Sequence, residues 1–253
     1  MPPLTVRPTS RRVACAMDAP NPIPTGGLAV VVGAGGAIGG ALVERLRSDG
    51  RFRDVLALGR GTLPPLDLLD ESTIAAAAAH VAGHGLDVRL VVDATGFLHG
   101  DGRMPEKTWR SLDPAALAHA FAVNAIGPAM LMKHFLPLLP RDGKAVFATL
   151  SARAGSLTEN AIGGWYGYRA SKAALNQLVR TAAAELARGR RHALCVALHP
   201  GHVESRLSAP FGAGGAPTWT PAQAAERLLG VIDALGPGDG GGFFDAGGER
   251  IAW

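Results

Sequence analysis

With 253 residues, 47% apolar and 18% charged, the chain has the size and composition of one large globular domain with a substantial core, and not of a disordered chain. Its net charge of +4 comes from scattered arginines without the basic patch that a nucleic-acid surface needs, and no apolar run reaches the roughly 18–20 residues of a membrane span. Cys15 and Cys195 are too few for a disulfide framework, and His80, His84, His199 and His202 have no Cys or carboxylate at ligand spacing, so no metal site is expected.

Residues 1–26 are rich in Pro, Thr, Ser and Arg and show no periodicity, which reads as a disordered leader, with Met17 as an alternative start. Ser10-Arg11-Arg12 is faintly similar to a twin-arginine export signal, but Val13 to Met17 is too short for the apolar segment that must follow. No targeting segment is read, and a cytoplasmic protein is expected. From Leu28 onward, short apolar runs alternate with longer helical ones. Leu28–Val32, Val55–Leu58, Leu90–Val92, Ala145–Leu150, Leu194–Leu198 and Phe243-Phe244 read as buried strands. Helices are expected near 38–48, 71–82, 114–139, 169–188 and 221–235. This alternation predicts an α/β domain over 27–253, a single doubly wound parallel sheet with helices on both faces.

The first strand runs directly into Gly33-Ala34-Gly35-Gly36-Ala37-Ile38-Gly39 and then a helix. Glycines there let the backbone approach a pyrophosphate, and the helix N-terminus supplies free N–H groups and positive dipole. At the end of the second strand, where an NAD site offers a carboxylate to the ribose, the chain has Leu58-Gly59-Arg60. Arg60 there would pair with a 2′-phosphate, so NADP(H) is preferred over NAD(H); the alternative is an ordinary surface charge. Asp67 is placed for the adenine edge, or serves as a helix cap. In the helix near 114–139, Pro128 lacks an N–H, so the carbonyl of Asn124 loses its helical partner and must find another, such as water. The glycine- and proline-rich loop over 206–220 reads as a substrate lid.

Within Trp165 to Leu178, Tyr168 and Lys172 lie four apart on one helical face. An ammonium beside a phenol favours the phenolate, which is expected to bring Tyr168 toward neutrality as a general acid/base. The chain has only two tyrosines, and Tyr166 is followed four residues later by Ala170, so Tyr168 alone can make this pair.

With glycine turn, Tyr-x-x-x-Lys and strand pattern in this order, the chain resembles the short-chain dehydrogenase/reductase family over roughly residues 27–253. The Gly33–Gly39 turn is similar to that family's TGxxxGxG loop, with Val32 for the Thr and Ala37 for the middle Gly. Asp93-Ala94-Thr95-Gly96 stands where the family has NNAG, Asn124 matches its helix Asn, and Pro200-Gly201 with Val203 and Ser205 resembles its PG…T segment. The resemblance implies a Rossmann-type sheet of about seven strands and hydride transfer between a nicotinamide and a small carbonyl or alcohol. The cofactor would be held by Gly33, Gly35, Gly36, Ala37, Ile38, Gly39, Arg60, Asp67, Ala94, Thr95, Gly96, Pro200, Gly201 and Val203. Tyr168 would protonate the carbonyl oxygen, Lys172 would lower its pKa and hold the nicotinamide ribose, and Asn124 would anchor a proton-relay water. The family's carbonyl-binding serine is matched by Ser151, although Ser151 precedes Gly155 by four residues and Ala152 takes the Ser-x-x-Gly position; Ser156, or no hydroxyl at all, are the alternatives. Trp165, Tyr166, Phe97 and the 206–220 loop are expected to line an apolar pocket. Details around Ala94–His99, Ser151–Ser156 and Gly164-Trp165-Tyr166 are similar to the C-factor-like branch, some of whose members are linked to cell–cell signalling. A cofactor-binding signalling protein with weak turnover, and a dehydratase or epimerase using Tyr168 as base, are the rival readings. No nucleic-acid or membrane partner is expected, and the resemblance implies a dimer or tetramer through the helices at 114–139 and 169–188.

Overall fold

The computed structural model describes residues 22–253 except 101, 213, 214 and 216. Residues 1–21 of the expected leader, with Cys15 and Met17, and part of the expected lid lie outside the described residues. The folded unit begins before residue 27: Ile23 is buried against the core, and the Gly26 N–H donates to the Arg51 carbonyl at 2.7 Å.

In chain order the elements are β1 (Leu28–Val32), α1 (Ala37–Asp49), β2 (Asp54–Leu58), α2 (Glu71–Ala82), β3 (Val88–Asp93), α3 (Pro114–Phe121), α4 (Gly127–Phe135), β4 (Ala145–Leu150), α5 (Tyr166–Leu186), β5 (Ala193–His199), β6 (His202–Val203), β7 (Thr218–Trp219), α6 (Pro221–Ala234) and β8 (Phe243–Asp245). The main sheet has six parallel strands in the order β2-β1-β3-β4-β5-β8. This matches the expected sheet of about seven strands to within one. A parallel neighbour requires a crossover of about a dozen residues or more, helix included. The stretch from Leu58 to Glu71 is a proline-containing loop leading straight into α2, with no room for an added helix and strand.

The strands are apolar throughout because both faces are covered. Along β1, Leu28, Val30 and Val32 pack with Ile74, Leu131, Phe135, Leu175 and Val179 from α2, α4 and α5. The alternate residues Ala29 and Val31 pack with Leu42, Leu46, Leu228 and Ile232 from α1 and α6. One strand thus feeds two cores, which makes the sheet doubly wound.

The expected helix at 114–139 is interrupted. Between α3 and α4 the chain makes a wider π turn over Ala122–Ile126, in which the Gly127 N–H reaches back to the Ala122 carbonyl. The run Pro114–Leu138 is long and apolar enough by composition to cross a membrane. Here it packs Leu131, Met132 and Phe135 into the core beside the sheet.

The strand order reverses between β1 and β3, which opens a crevice beyond the carboxyl ends of these strands, where ligands of such sheets bind. Every candidate residue except those at Arg60 and Asp67 belongs to a segment leaving the end of β1, β3, β4 or β5, or to the helices facing that rim.

Candidate active site

The glycine turn is closed by its own backbone. The Gly33 and Ala34 N–H groups both donate to the Leu58 carbonyl, at 2.9 and 3.2 Å, and the Gly36 N–H donates to the Gly33 carbonyl at 3.0 Å. Gly33 has φ +81°, and a Cβ added to it would press on Ala94 and Thr95 at 3.0–3.1 Å. A Cβ at Gly39 would lie 2.2 Å from the Gly33 carbonyl oxygen. These two positions admit glycine alone. Beyond them Gly35, Gly36 and Ala37 are exposed, and α1 begins with no side-chain cap, so its first-turn N–H groups face the crevice. This tight, uncapped cradle fits the pyrophosphate of a dinucleotide.

The stitch to Leu58 brings Arg60 beside the turn, with its side chain exposed. The Leu66 N–H donates to the Gly59 carbonyl at 3.0 Å and folds Asp67 back next to the same rim. Asp67 Oδ1 accepts the Leu69 N–H at 3.0 Å in a local turn, while the cap of α2 is Asp70, whose carboxylate accepts the Ser72 N–H at 2.9 Å. The helix-cap alternative for Asp67 is therefore not the one adopted.

From β3 the chain continues through Asp93, which is fully buried. Its carboxylate accepts hydrogen bonds from the Thr95 N–H and hydroxyl and from the Thr149 hydroxyl, at 3.0, 2.5 and 2.6 Å. Burial nevertheless pushes this carboxyl up, with those bonds and the nearby Lys172 charge acting against it. A Cβ at Gly96 would lie 3.7 Å from Lys172 Nζ and 3.8 Å from Asn124 Oδ1, so three chain segments meet over one point.

Asn124 acts here through its side chain. Oδ1 accepts the Phe97 N–H at 2.7 Å, and Nδ2 donates to the Phe97 carbonyl at 2.8 Å and to Ser171 Oγ at 3.1 Å. The Ser171 hydroxyl donates to the Tyr168 carbonyl at 2.9 Å. The fully buried amide thus locks the loop after β3 to the first turns of α5.

Tyr168 and Lys172 share the inward side of α5, but they do not relate as expected. Lys172 Nζ donates to the Leu150 carbonyl at the end of β4, at 2.7 Å. Burial brings the ammonium down to about 8, opposed by the Asp93 charge. It remains a cation at pH 7. Burial pushes the Tyr168 phenol up to about 12, where the pairing with Lys172 was expected to bring it down. Desolvation sets this shift, and the Lys172 ammonium is engaged by the Leu150 carbonyl. Tyr168 is therefore a protonated phenol near neutrality.

Ser151 has a partner that its sequence position did not suggest. Its hydroxyl donates to Asn176 Oδ1 at 2.6 Å and is buried, so its proton is not presented to the crevice. Ser156 is buried as well, its Oγ accepting the Glu159 N–H at 3.2 Å. Asn176 was missed. The signal for it was present: Tyr168, Lys172 and Asn176 recur every four residues on the buried face of a helix. Glu106 was missed too, and nothing in its local sequence marks it. Buried, it accepts the Gly167 N–H on Oε2 at 3.0 Å, supplying the cap that α5 lacks in its own sequence. A cavity of about 20 Å³, lined by Phe97, Leu98, Met104, Glu106, Gly167 and Tyr168 among others, has room for a single water.

Pro200-Gly201 leaves β5 with Gly201 at φ +81°, and the indole of Trp219 lies 3.1–3.2 Å from where its Cβ would stand. Val203 is buried in the short parallel pair of β6 with β7. Trp165 lies edge-on to the Tyr168 ring, with centroids 6.1 Å apart. Tyr166, expected in the same pocket, faces away and lines a separate cavity of about 310 Å³ with Ala154, Leu157, Arg169, Ala170 and Ala173. Positions 166, 170 and 173 fall on the side of α5 opposite Tyr168.

Comparison with known proteins gives the following. A family model described as "Enoyl-(Acyl carrier protein) reductase" matches residues 37–230. The chain is 31% identical to 1-hydroxy-2-glutathionyl-2-methyl-3-butene dehydrogenase of Rhodococcus sp. (strain AD45) over 200 residues, which is 79% of this chain and 84% of that protein. It is 37% identical to C-signal of Myxococcus xanthus over 142 residues, 56% of this chain and 81% of that one. Among solved structures, NADPH-bound carbonyl reductase from chicken fatty liver superposes with a TM-score of 0.79 at 25% identity, covering 92% of this chain and 96% of the other.

Proposed function

Since the chain belongs to the short-chain dehydrogenase/reductase family, we propose that it is an NADP(H)-preferring oxidoreductase that reduces a small-molecule carbonyl, with Tyr168 as the proton donor. The observation that carries this reading is the meeting of Gly96, Asn124, Lys172 and the Tyr168 helix at the rim beyond the glycine cradle. The bound nicotinamide would supply hydride. Gly33, Gly35, Gly36, Ala37, Ile38 and Gly39 would hold the pyrophosphate, with Arg60 at the 2′-phosphate and Asp67 at the adenine. Ala94, Thr95, Gly96, Pro200, Gly201 and Val203 would flank the nicotinamide end.

A protonated Tyr168 phenol has a proton to give at pH 7, as reduction of a carbonyl requires. Lys172, still cationic and held by the Leu150 carbonyl, would offer its remaining protons to the ribose. Asn124 fixes the loop carrying Gly96 against α5. Ser151 orients Asn176 and leaves polarisation of the carbonyl to Tyr168 alone. The same feature favours a second reading, a cofactor-binding protein of low turnover, because a missing donor of this kind costs on the order of 10²–10³ in rate. Self-association as a dimer or tetramer would run through the helical segments at 114–139 and 169–188, and sedimentation of the pure protein decides it.

The test is NADPH oxidation with a panel of aldehydes, ketones and quinones, with NADH in parallel. Tyr168→Phe should lose about 10²–10⁴ in turnover while binding NADPH as before. Undiminished turnover would remove Tyr168 from the chemistry. Equal use of NADH and NADPH, unaltered in Arg60→Ala, would remove Arg60 from the cofactor site.

A further inference from the structure

Among the described residues Trp165 alone combines a side chain with positive φ, at φ 53° and ψ 42°, directly after Gly163 at φ 71° and Gly164 at φ 67°. Three consecutive left-handed residues bring the chain into α5. A glycine would be free of strain at the third position as at the first two. The conformation is held from outside: the Trp165 N–H donates to the Glu106 carbonyl at 2.5 Å, while the Glu106 carboxylate holds the Gly167 N–H. Such outliers persist where the surroundings over-determine them, and they gather at functional sites. The indole is placed among other rings. It meets the Tyr168 ring at 76° and the Phe211 ring at 62° with centroids 5.0 Å apart. Phe211 in turn meets His99 at 5.5 Å and 68°, and His99 Nε2 lies 3.1 Å from the Arg206 carbonyl oxygen.

Taking the reductase reading as given, we propose that Trp165, Phe211 and His99 form an aromatic wall beside Tyr168 that selects planar substrates, aryl or conjugated carbonyls, over saturated or polyhydroxylated ones. The substrate ring packs on this wall in the edge-to-face geometry that Trp165, Phe211 and His99 adopt toward one another. Ring edges and faces complement one another in such packing. They offer little to a hydroxyl-rich substrate, whose groups would lose water without a partner. The Ser151 hydroxyl gives no help, being committed to Asn176. The strained backbone sets the plane of the indole, and with it the plane of the substrate ring over the Tyr168 hydroxyl.

The experiment compares kcat/KM for 4-nitrobenzaldehyde and hexanal in the wild type, Trp165→Gly, Trp165→Asn and Phe211→Leu. Glycine and asparagine both tolerate left-handed backbone, so these variants keep the turn. The wild type should favour the aryl aldehyde by tenfold or more, and both Trp165 variants should erase about tenfold of that ratio, chiefly through KM. Thermal midpoints at or above the wild type confirm that the fold is kept. Equal rates for the two aldehydes in the wild type, or an unchanged ratio in both Trp165 variants, overturn the wall. Calorimetric titration with benzyl alcohol in the presence of NADP separates this proposal from the reductase reading. Binding to the wild type that is lost in Trp165→Gly supports the wall even if no carbonyl is reduced, and binding indifferent to Trp165 overturns it even if carbonyls are.

Discussion

Replacing Gly39 by alanine tests the glycine cradle without touching any polar group. The new methyl would stand 2.2 Å from the Gly33 carbonyl oxygen, 2.8 Å from the Gly33 carbonyl carbon and 3.1 Å from the Ala34 Cα, about 1.2 Å short of the 3.4 Å at which ordinary contact begins. All three atoms are backbone. A retreat toward β3 would carry the turn against Ala94 and Thr95, whose atoms stand only 3.0–3.1 Å from where a Gly33 Cβ would lie. Relief must break the Gly33–Leu58 and Gly36–Gly33 hydrogen bonds, worth about 1 kcal/mol each. Residual overpacking adds about 1–3 kcal/mol, and the better helix propensity of alanine returns about 1 kcal/mol. The net loss is about 2–4 kcal/mol, a fall in Tm of about 5–15 °C for a chain of this size. Gly40→Ala is the matched control: its methyl would meet only the Ala34 carbonyl oxygen, at 3.4 Å. That variant should unfold at or slightly above the wild-type temperature. Thermal unfolding and NADPH titration of both variants decide, with weakened NADPH binding expected for Gly39→Ala alone. Coincident melting curves for the two variants would refute the close approach on which the cradle rests.

Lys172 gives a pH signature. Its folded-state pKa of about 8 lies below the ordinary 10.5, so between these values the unfolded chain binds more protons and stability rises with pH. Lys144, also near 8, contributes a rise of the same sign, while Cys195 and Tyr168, both held up to about 12, act oppositely above about pH 9–10. The difference between wild type and Lys172→Met in urea unfolding isolates Lys172 and should change by on the order of 3 kcal/mol from pH 7 to pH 10.5; a flat difference would contradict its burial as a cation. Asn124→Ala strands the Phe97 N–H and carbonyl and removes the donor to Ser171 Oγ, and should cost about 2–4 kcal/mol in chemical denaturation; a loss below about 1 kcal/mol would mean the lock is not holding the loop. Ala152→Ser restores a hydroxyl at the Ser-x-x-Gly position and should raise kcat for the best substrate at least tenfold, whereas an unaltered kcat would show that Tyr168 needs no second donor.

The sequence by itself determined the sheet, its two-sided burial and the cradle. Strands buried on both faces must be continuously apolar, so Leu28–Val32 and Ala145–Leu150 were legible to the residue. Gly33 and Gly39 were legible because a left-handed turn and a 2.2 Å approach leave no other choice of residue. The Tyr168–Lys172 face followed from helical spacing. Only the tertiary structure decided what those side chains do, because each outcome depends on a partner far away in the chain. Lys172 is drawn to Leu150 and Ser151 to Asn176, and Glu106 caps a helix that begins sixty residues later. The phenol of Tyr168 rises instead of falling for the same reason: helical spacing records which groups share a face, whereas desolvation is set by everything else that packs around it.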